Sequence, residues 1–298
     1  MTERSRGVLY ALTAYGLWGL MPLYVKALGN VPLLQIIAHR VVWASLLLAL
    51  LVLATGRVAW LALLRQQPRL LWTFALSAAA LSVNWLMYIW AVGQGRVVDA
   101  SLGYFINPLV SVVLGLVVLK ERLRPAQWAA VGVAAFGVAW LSLLAGELPW
   151  IGLTVAASFG VYGLLRKTAP IDALGGLTLE TLLLLPVALG YVLYSSFRSG
   201  GAFAGGGLNR TLLLLAAGPV TALPLLAFGA GARRIPLALV GILQYVSPTL
   251  QLLLGILAFG EALPARKLAG FSLIWLAVLL YSIESLARRA RPAVDERA

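Results

Sequence analysis

Apolar stretches of about twenty residues recur along the whole chain, and nothing else in the sequence limits its fold so severely. Ten are read, approximately at 7–28, 32–54, 70–92, 98–119, 126–145, 149–166, 175–197, 209–230, 236–258 and 266–287. A helix of about 20 residues crosses a hydrocarbon core roughly 30 Å thick. Within lipid a backbone satisfies its own N–H and C=O groups only as helix or closed barrel, and runs this long and continuous predict helix. Ten such stretches in 298 residues leave no room for a sizeable soluble domain. Only 11% of residues are charged, against roughly 25% in soluble domains. The expected fold is therefore an all-α integral membrane protein with the lipid bilayer as its main partner. The first stretch follows Arg4 and Arg6 as a signal peptide would, but it is too long, contains Trp18, Pro22 and Lys26, and has no small-x-small cleavage site. It reads as a retained first helix.

The connections are short, so successive helices run antiparallel; the one long connection, 199–208, is rich in glycine. The formal charge of +13 does not form a stripe suited to nucleic acid. Of the 23 Lys and Arg, sixteen fall on one side of the expected spans, five on the other, and Lys26 and Arg40 within spans. The positive-inside rule then places both termini in the cytoplasm of a cell whose inner membrane holds the protein.

Sliding the chain by 140 residues lays LGYFINPLVSVVLGLVVLKERL, from Leu102, over ILQYVSPTLQLLLGILAFGEAL, from Ile242. Pro108 meets Pro248, Gly115 meets Gly255 and Glu121 meets Glu261. At an offset of 144, Gly16, Trp18 and Gly19 meet Gly160, Tyr162 and Gly163. Five spans per repeat is an odd number, so the second copy inserts upside down, giving two inverted halves, 1–145 and 146–298. Inverted repeats are an architecture of secondary transporters.

These paired, proline-containing fourth and ninth spans, each followed by a Glu, resemble two EamA-type domains of the drug/metabolite transporter superfamily. AYGLWGLMPLYVK from Ala14, AHRVVW from Ala38, VNWLMYIWAV from Val83, DASLGYFINPLV from Asp99, LETLLLLPVA from Leu179 and LQYVSPTLQ from Leu243 resemble its RarD subgroup, whose members carry chloramphenicol-sensitivity names. The resemblance covers essentially the whole chain. It implies a ten-helix permease of the inner membrane, and leaves the solute open.

Polar groups inside spans are costly and mark functional candidates. Ser101, Tyr104, Pro108, Ser111 and Gly115 share one helix face, and Gly241, Gln244, Pro248, Gln251 and Gly255 share the equivalent face of the ninth span. These faces either line a central cavity or pack helices closely. Tyr104, Asn107, Gln244, Tyr245 and Ser247 are expected at a substrate site; Pro108 and Pro248 each free a backbone carbonyl one turn back and are expected hinges. Asn84 either binds solute or ties two helices together. Arg40, about two turns into the second span, either recognises an anionic group or extends to the headgroups. Trp18, Trp85, Tyr88, Trp90 and Tyr104 supply aromatic walls suited to a small organic solute. Glu180 is either a proton-coupling carboxylate or a local partner of Arg166 or Lys167. His39 either relays protons or is simply hydrogen-bonded, and Lys26 is a gate charge or an anchor.

Enzyme chemistry finds little support. The chain has no Cys and one His, no H-E-x-x-H and no phosphate-binding loop, so neither a metal nor another cofactor is expected, nor ATP hydrolysis. The reading is a secondary-active permease that exports a metabolite or amphiphilic drug, with uptake of an amino acid or related solute, coupled to protons or facilitated, as the alternative.

Overall fold

The computed structural model describes residues 1–94, 97–145, 150–199, 201–202, 207–259 and 265–290, which are helices joined by turns, with no strand among them. In chain order the helices are α1 (Glu3–Gly19), α2 (Met21–Leu28), α3 (Leu33–Thr55), α4 (Ala59–Gln66), α5 (Arg69–Gly93), α6 (Val97–Val117) and α7 (Pro125–Ala145). They continue as α8 (Trp150–Thr168), α9 (Ala173–Ser199), α10 (Gly207–Ala232), α11 (Leu237–Gln244), α12 (Val246–Phe259) and α13 (Ala265–Ala290). Seven stretches of the described residues are long and apolar enough to cross a membrane: Glu3–Leu28, Leu33–Thr55, Arg69–Tyr88, Pro125–Leu144, Ala173–Arg198, Gly207–Ala232 and Leu237–Ala258. Gly103–Val117 and Leu268–Glu284 are shorter apolar helices.

The outside of the bundle is apolar. Trp72 is 79% exposed, Val187 78% and Leu257 81%, which in water would be a continuous aggregation surface and in lipid is the required one. The interior instead holds small and polar side chains, among them Ser45, Asn84, Asn107, Arg166, Glu180, Thr221 and Gln244.

Two expected spans are broken. The first stops at Leu20 and restarts as α2, with Pro22 in its opening turn; the ninth stops at Gln244 and restarts at Val246, just ahead of Pro248. A proline lacks the N–H that would bind the carbonyl four residues back. For Pro22 that carbonyl is Trp18, and the Gln251 side-chain amide donates to it at 3.1 Å, so α12 supplies what α1 loses. In the fourth span α6 continues helically through Pro108. One helix was not foreseen: α4 lies in what the sequence suggests is a plain connection. Trp60 is buried with Leu63 and Leu64 beside it, spaced to share one face, against Phe74, Ile171 and Leu179.

Helix packing is mostly between distant segments. α6 packs on α8 and α11, α7 on α13, α3 on α9 and α10, α1 on α10 and α12, and α5 on α8 and α9. At the α6–α11 crossing a Cβ on Gly241 would lie 2.5 Å from the Pro108 carbonyl oxygen, so only glycine permits that approach. One end of the bundle is joined by a network of polar contacts. Glu3 pairs with Arg234 at 3.1 Å, Arg57 with Asp172 at 3.1 Å, and Arg124 with Glu284 at 2.7 Å. Arg233 donates to the Ala169 and Ile171 carbonyls, and Glu121 accepts the Leu237 and Ala238 N–H groups at 2.6 and 3.0 Å, capping α11. Glu261, the repeat mate of Glu121, lies outside the described residues, as does the side chain of Ser101.

Candidate substrate cavity and its floor

A cavity of about 450 Å³ lies among α1, α2, α3, α5, α6, α8, α10, α11 and α12, so both halves of the chain build it. Its walls contain Trp18, Lys26, Arg40, Asn84, Trp85, Tyr104, Asn107, Gln244, Ser247 and Pro248, all singled out from sequence. Tyr15, Leu81, Tyr88, Phe159, Leu225 and Gln251 complete much of the rest. The cavity extends to Val25, Lys26 and Leu33, at the connection between α2 and α3.

Arg40 is held sideways. Its Nε donates to Thr221 Oγ1 at 2.9 Å, and its guanidinium carbon sits 4.6 Å from the centre of the Trp85 ring, a stacking geometry that stabilises a cation without neutralising it. Of the two readings of Arg40, a side chain extended to the headgroups does not describe this placement. Asn84 uses its amide nitrogen on α8, donating to the Val155 carbonyl at 2.8 Å and lying 3.4 Å from Ser158 Oγ. The helix tie is thus present, and what Asn84 has left is its carbonyl oxygen. Asn107 Oδ1 and Gln244 Oε1 are buried acceptors with no hydrogen-bond partner.

Five proposed residues fall outside the walls, one of them Trp90, which meets Trp150 with ring centroids 5.6 Å apart. Tyr245 is buried and donates to the Phe105 carbonyl at 3.2 Å. Pro108 faces the α11 crossing. Buried His39 accepts at Nδ1 from Trp43 Nε1 at 3.2 Å, one turn along the same helix. Glu180 lies below the cavity, and Arg166 is its partner at 3.6 Å; Lys167 instead donates to the Ala232 and Ile235 carbonyls. Tyr88 and Tyr104, by contrast, meet edge to face at the cavity wall with centroids 5.8 Å apart.

The floor is aromatic. Trp18 meets Phe159 edge-on at 5.5 Å, Tyr162 stacks on Phe228 at 5.7 Å, and Phe228 also contacts Tyr15, Trp18 and Phe159. Beneath it Arg166, counted from sequence as a surface topology charge, is instead 1% exposed. That expectation fails because Gly176 and Gly229 leave a slot for the guanidinium that a Cβ at either position would enter. Its Nη2 donates to the Ala173 carbonyl at 3.0 Å, while Nε and Nη1 have no hydrogen-bond partner. Glu180 Oε1 accepts from Ser77 Oγ at 2.6 Å, and the Tyr162 hydroxyl is a further neighbour of the carboxylate. Nothing in the basic run Arg166–Lys167 distinguishes the two; the signal was Gly175–Gly176 one turn ahead of Glu180, small residues where a bulky neighbour has to fit.

An apolar-coated helical bundle enclosing an aromatic cavity with a few amides and cations is a membrane protein with an internal site for a small solute. The first half, residues 5–143, matches the EamA-like transporter family. An uncharacterized transporter of Pseudomonas aeruginosa is 47% identical over 96% of this chain and 97% of its own length. The protein RarD of Streptomyces exfoliatus is 46% identical over 99% and 95%, and the chloramphenicol-sensitive protein RarD of P. aeruginosa 39% identical over 99% and 100%. A crystal structure at 22% identity superposes with a TM-score of 0.71 over 97% of this chain and 99% of that one, a likeness of fold. The chain belongs to the EamA-like transporter family, as a RarD-type member of the drug/metabolite transporter superfamily.

Proposed function

We propose that the chain is a secondary-active permease of the inner membrane that exports a small amphiphilic metabolite or drug by alternating access, with the cavity as its solute site. Ten crossings in two inverted halves, 1–145 and 146–298, with both termini cytoplasmic, provide the frame. The observation that carries this reading is the packing pattern. Exchanging each span for its counterpart in the other half turns the α6–α8 contact into the α12–α1 contact, α3–α10 into α9–α5, and α1–α10 into α8–α5, all of which occur. The α7–α13, α3–α9 and α6–α11 contacts map onto themselves. Tyr245 touches Phe105, its own repeat mate 140 residues away, as expected of residues at a twofold axis. The family match ends at residue 143, close to the proposed boundary. The polar network at one end of the bundle involves the connections that the charge count assigns to the cytoplasm, while the cavity reaches toward the other end.

Alternating access needs one end closed while the other opens. The aromatic floor with the Arg166–Glu180 pair beneath it suits the closed end, and α2 and α12, set off by their breaks, suit the moving walls. Glu180, next to a cation and a hydroxyl, is placed to couple protonation to release of that closure. The test is flux into liposomes holding the purified chain, with and without an imposed pH gradient, for wild type and Glu180→Gln. Saturable flux that follows the gradient in wild type and loses that dependence in Glu180→Gln supports the proposal. Flux that ignores both removes the coupling role, and absence of saturable flux from a folded, reconstituted protein removes the carrier.

A further inference from the structure

We propose that the cavity is built for a small organic acid: a carboxylate on a ring-sized apolar body. The proposal rests on the reading of this cavity as the solute site, and adds the charge and shape of the solute. Arg40 makes one hydrogen bond, through Nε to Thr221. Among the described residues its two terminal nitrogens reach no protein acceptor, and no Asp or Glu is in the cavity wall. A cation in a cavity wall attracts an anion, and the low dielectric of the surroundings strengthens the effect.

The geometry favours a planar anion. Trp85 stacks on one side of the guanidinium and Thr221 takes its inner edge, which leaves the terminal nitrogens for the forked contact that a carboxylate accepts bidentately. Much of the remaining wall is apolar, with Trp18, Leu81 and Tyr88 in it, which suits an apolar body behind the carboxylate. Asn107 and Gln244, 1% and 5% exposed, add buried amide oxygens that lack a donor; a hydroxyl or amide N–H on the solute supplies one. A volume of about 450 Å³ is that of a single-ring solute with a short chain.

The experiment compares four probes on the full chain in nanodiscs, read by quenching of tryptophan fluorescence, since Trp18 and Trp85 line the cavity. The probes are 3-phenylpropanoate, its neutral amide, 3-phenylpropylamine, and chloramphenicol as a larger neutral molecule; phenyl phosphate tests the alternative anion. Each is also tested as a solute in proteoliposomes. The expected result is saturable binding of the acid, with the amide, the amine, chloramphenicol and the phosphate each weaker by about tenfold or more. Arg40→Gln weakens the acid by about tenfold or more at an unchanged melting temperature, and Arg40→Lys, which keeps the charge but not the fork, falls between. The inference is overturned if the acid does not bind, if any other probe binds as tightly, or if folded Arg40→Gln retains full affinity. Saturable flux of a neutral or cationic probe without preference for the acid leaves the carrier standing and removes the anion. Absence of flux for every probe removes the carrier reading itself.

Discussion

Two arginines inside the bundle, buried Arg166 and half-buried Arg40, are treated in opposite ways. Arg166 is enclosed with its own carboxylate: Glu180 lies 3.6 Å away, Ser77 holds that carboxylate, and glycines at 176 and 229 make room. Arg40 is held by a ring and a hydroxyl only, at the edge of a cavity with no acidic wall among the described residues. A buried charge matched within the protein serves the protein's own states, whereas one left unmatched at a cavity is directed at a solute. The pair is held mainly by charge, with Arg166 Nε lacking a hydrogen-bond partner.

Breaking the matched pair gives the largest effect. Arg166→Met or Glu180→Leu alone leaves one buried charge uncompensated and costs roughly 3–5 kcal/mol, read as a drop in melting temperature in micelles, while the double variant recovers most of it. If both single variants melt as wild type does, the pair is not coupled and the contrast with Arg40 fails. Arg40→Gln should behave in the opposite way, changing the melting temperature little but lowering solute affinity by about 1.4 kcal/mol or more. Asn84→Ala removes a tie between α5 and α8 and should cost about 1 kcal/mol of stability, with a smaller change in affinity; the reverse ranking would make Asn84 a solute ligand first. Smallest is Trp85→Phe, which weakens the stack on Arg40 by about 0.5–1 kcal/mol and should raise the half-saturating solute concentration a few-fold without altering the melting point.

Much of this contrast could be read in the sequence, and its limits are physical. Helix positions were legible because lipid demands long apolar runs, and the two breaks fall where Pro22 and Pro248 stand. Pro108 is expected as a hinge, and α6 continues helically through it: a proline removes one hydrogen bond but does not dictate whether neighbours hold the helix together. Arg40, Asn84, Tyr104, Asn107 and Gln244 were legible as cavity candidates because polar groups inside apolar runs need partners. Arg166 was not, because a basic residue at a span end looks the same whether it points to water or inward. Only the packing of α8 against α5, α9 and α10, a long-range fact, decides this, and it also separates Glu180 from the cavity. His39 and Tyr245 showed the same ambiguity; His39 has a partner one turn along its own helix, Tyr245 one on α6. The α4 helix was missed because eight residues, with three of them on the packed face, carry too weak a period to stand out beside spans of twenty.

Accessibility of the cavity floor tests alternating access most directly, and a chain with no natural cysteine suits it. A single cysteine at Phe159, labelled by a membrane-impermeant maleimide added to either face of oriented vesicles, should react from both faces. Its two rates should move in opposite directions when Glu180→Gln is introduced or solute is added. Rates that rise or fall together on both faces would describe a pore, and reaction from one face under every condition would contradict the carrier account.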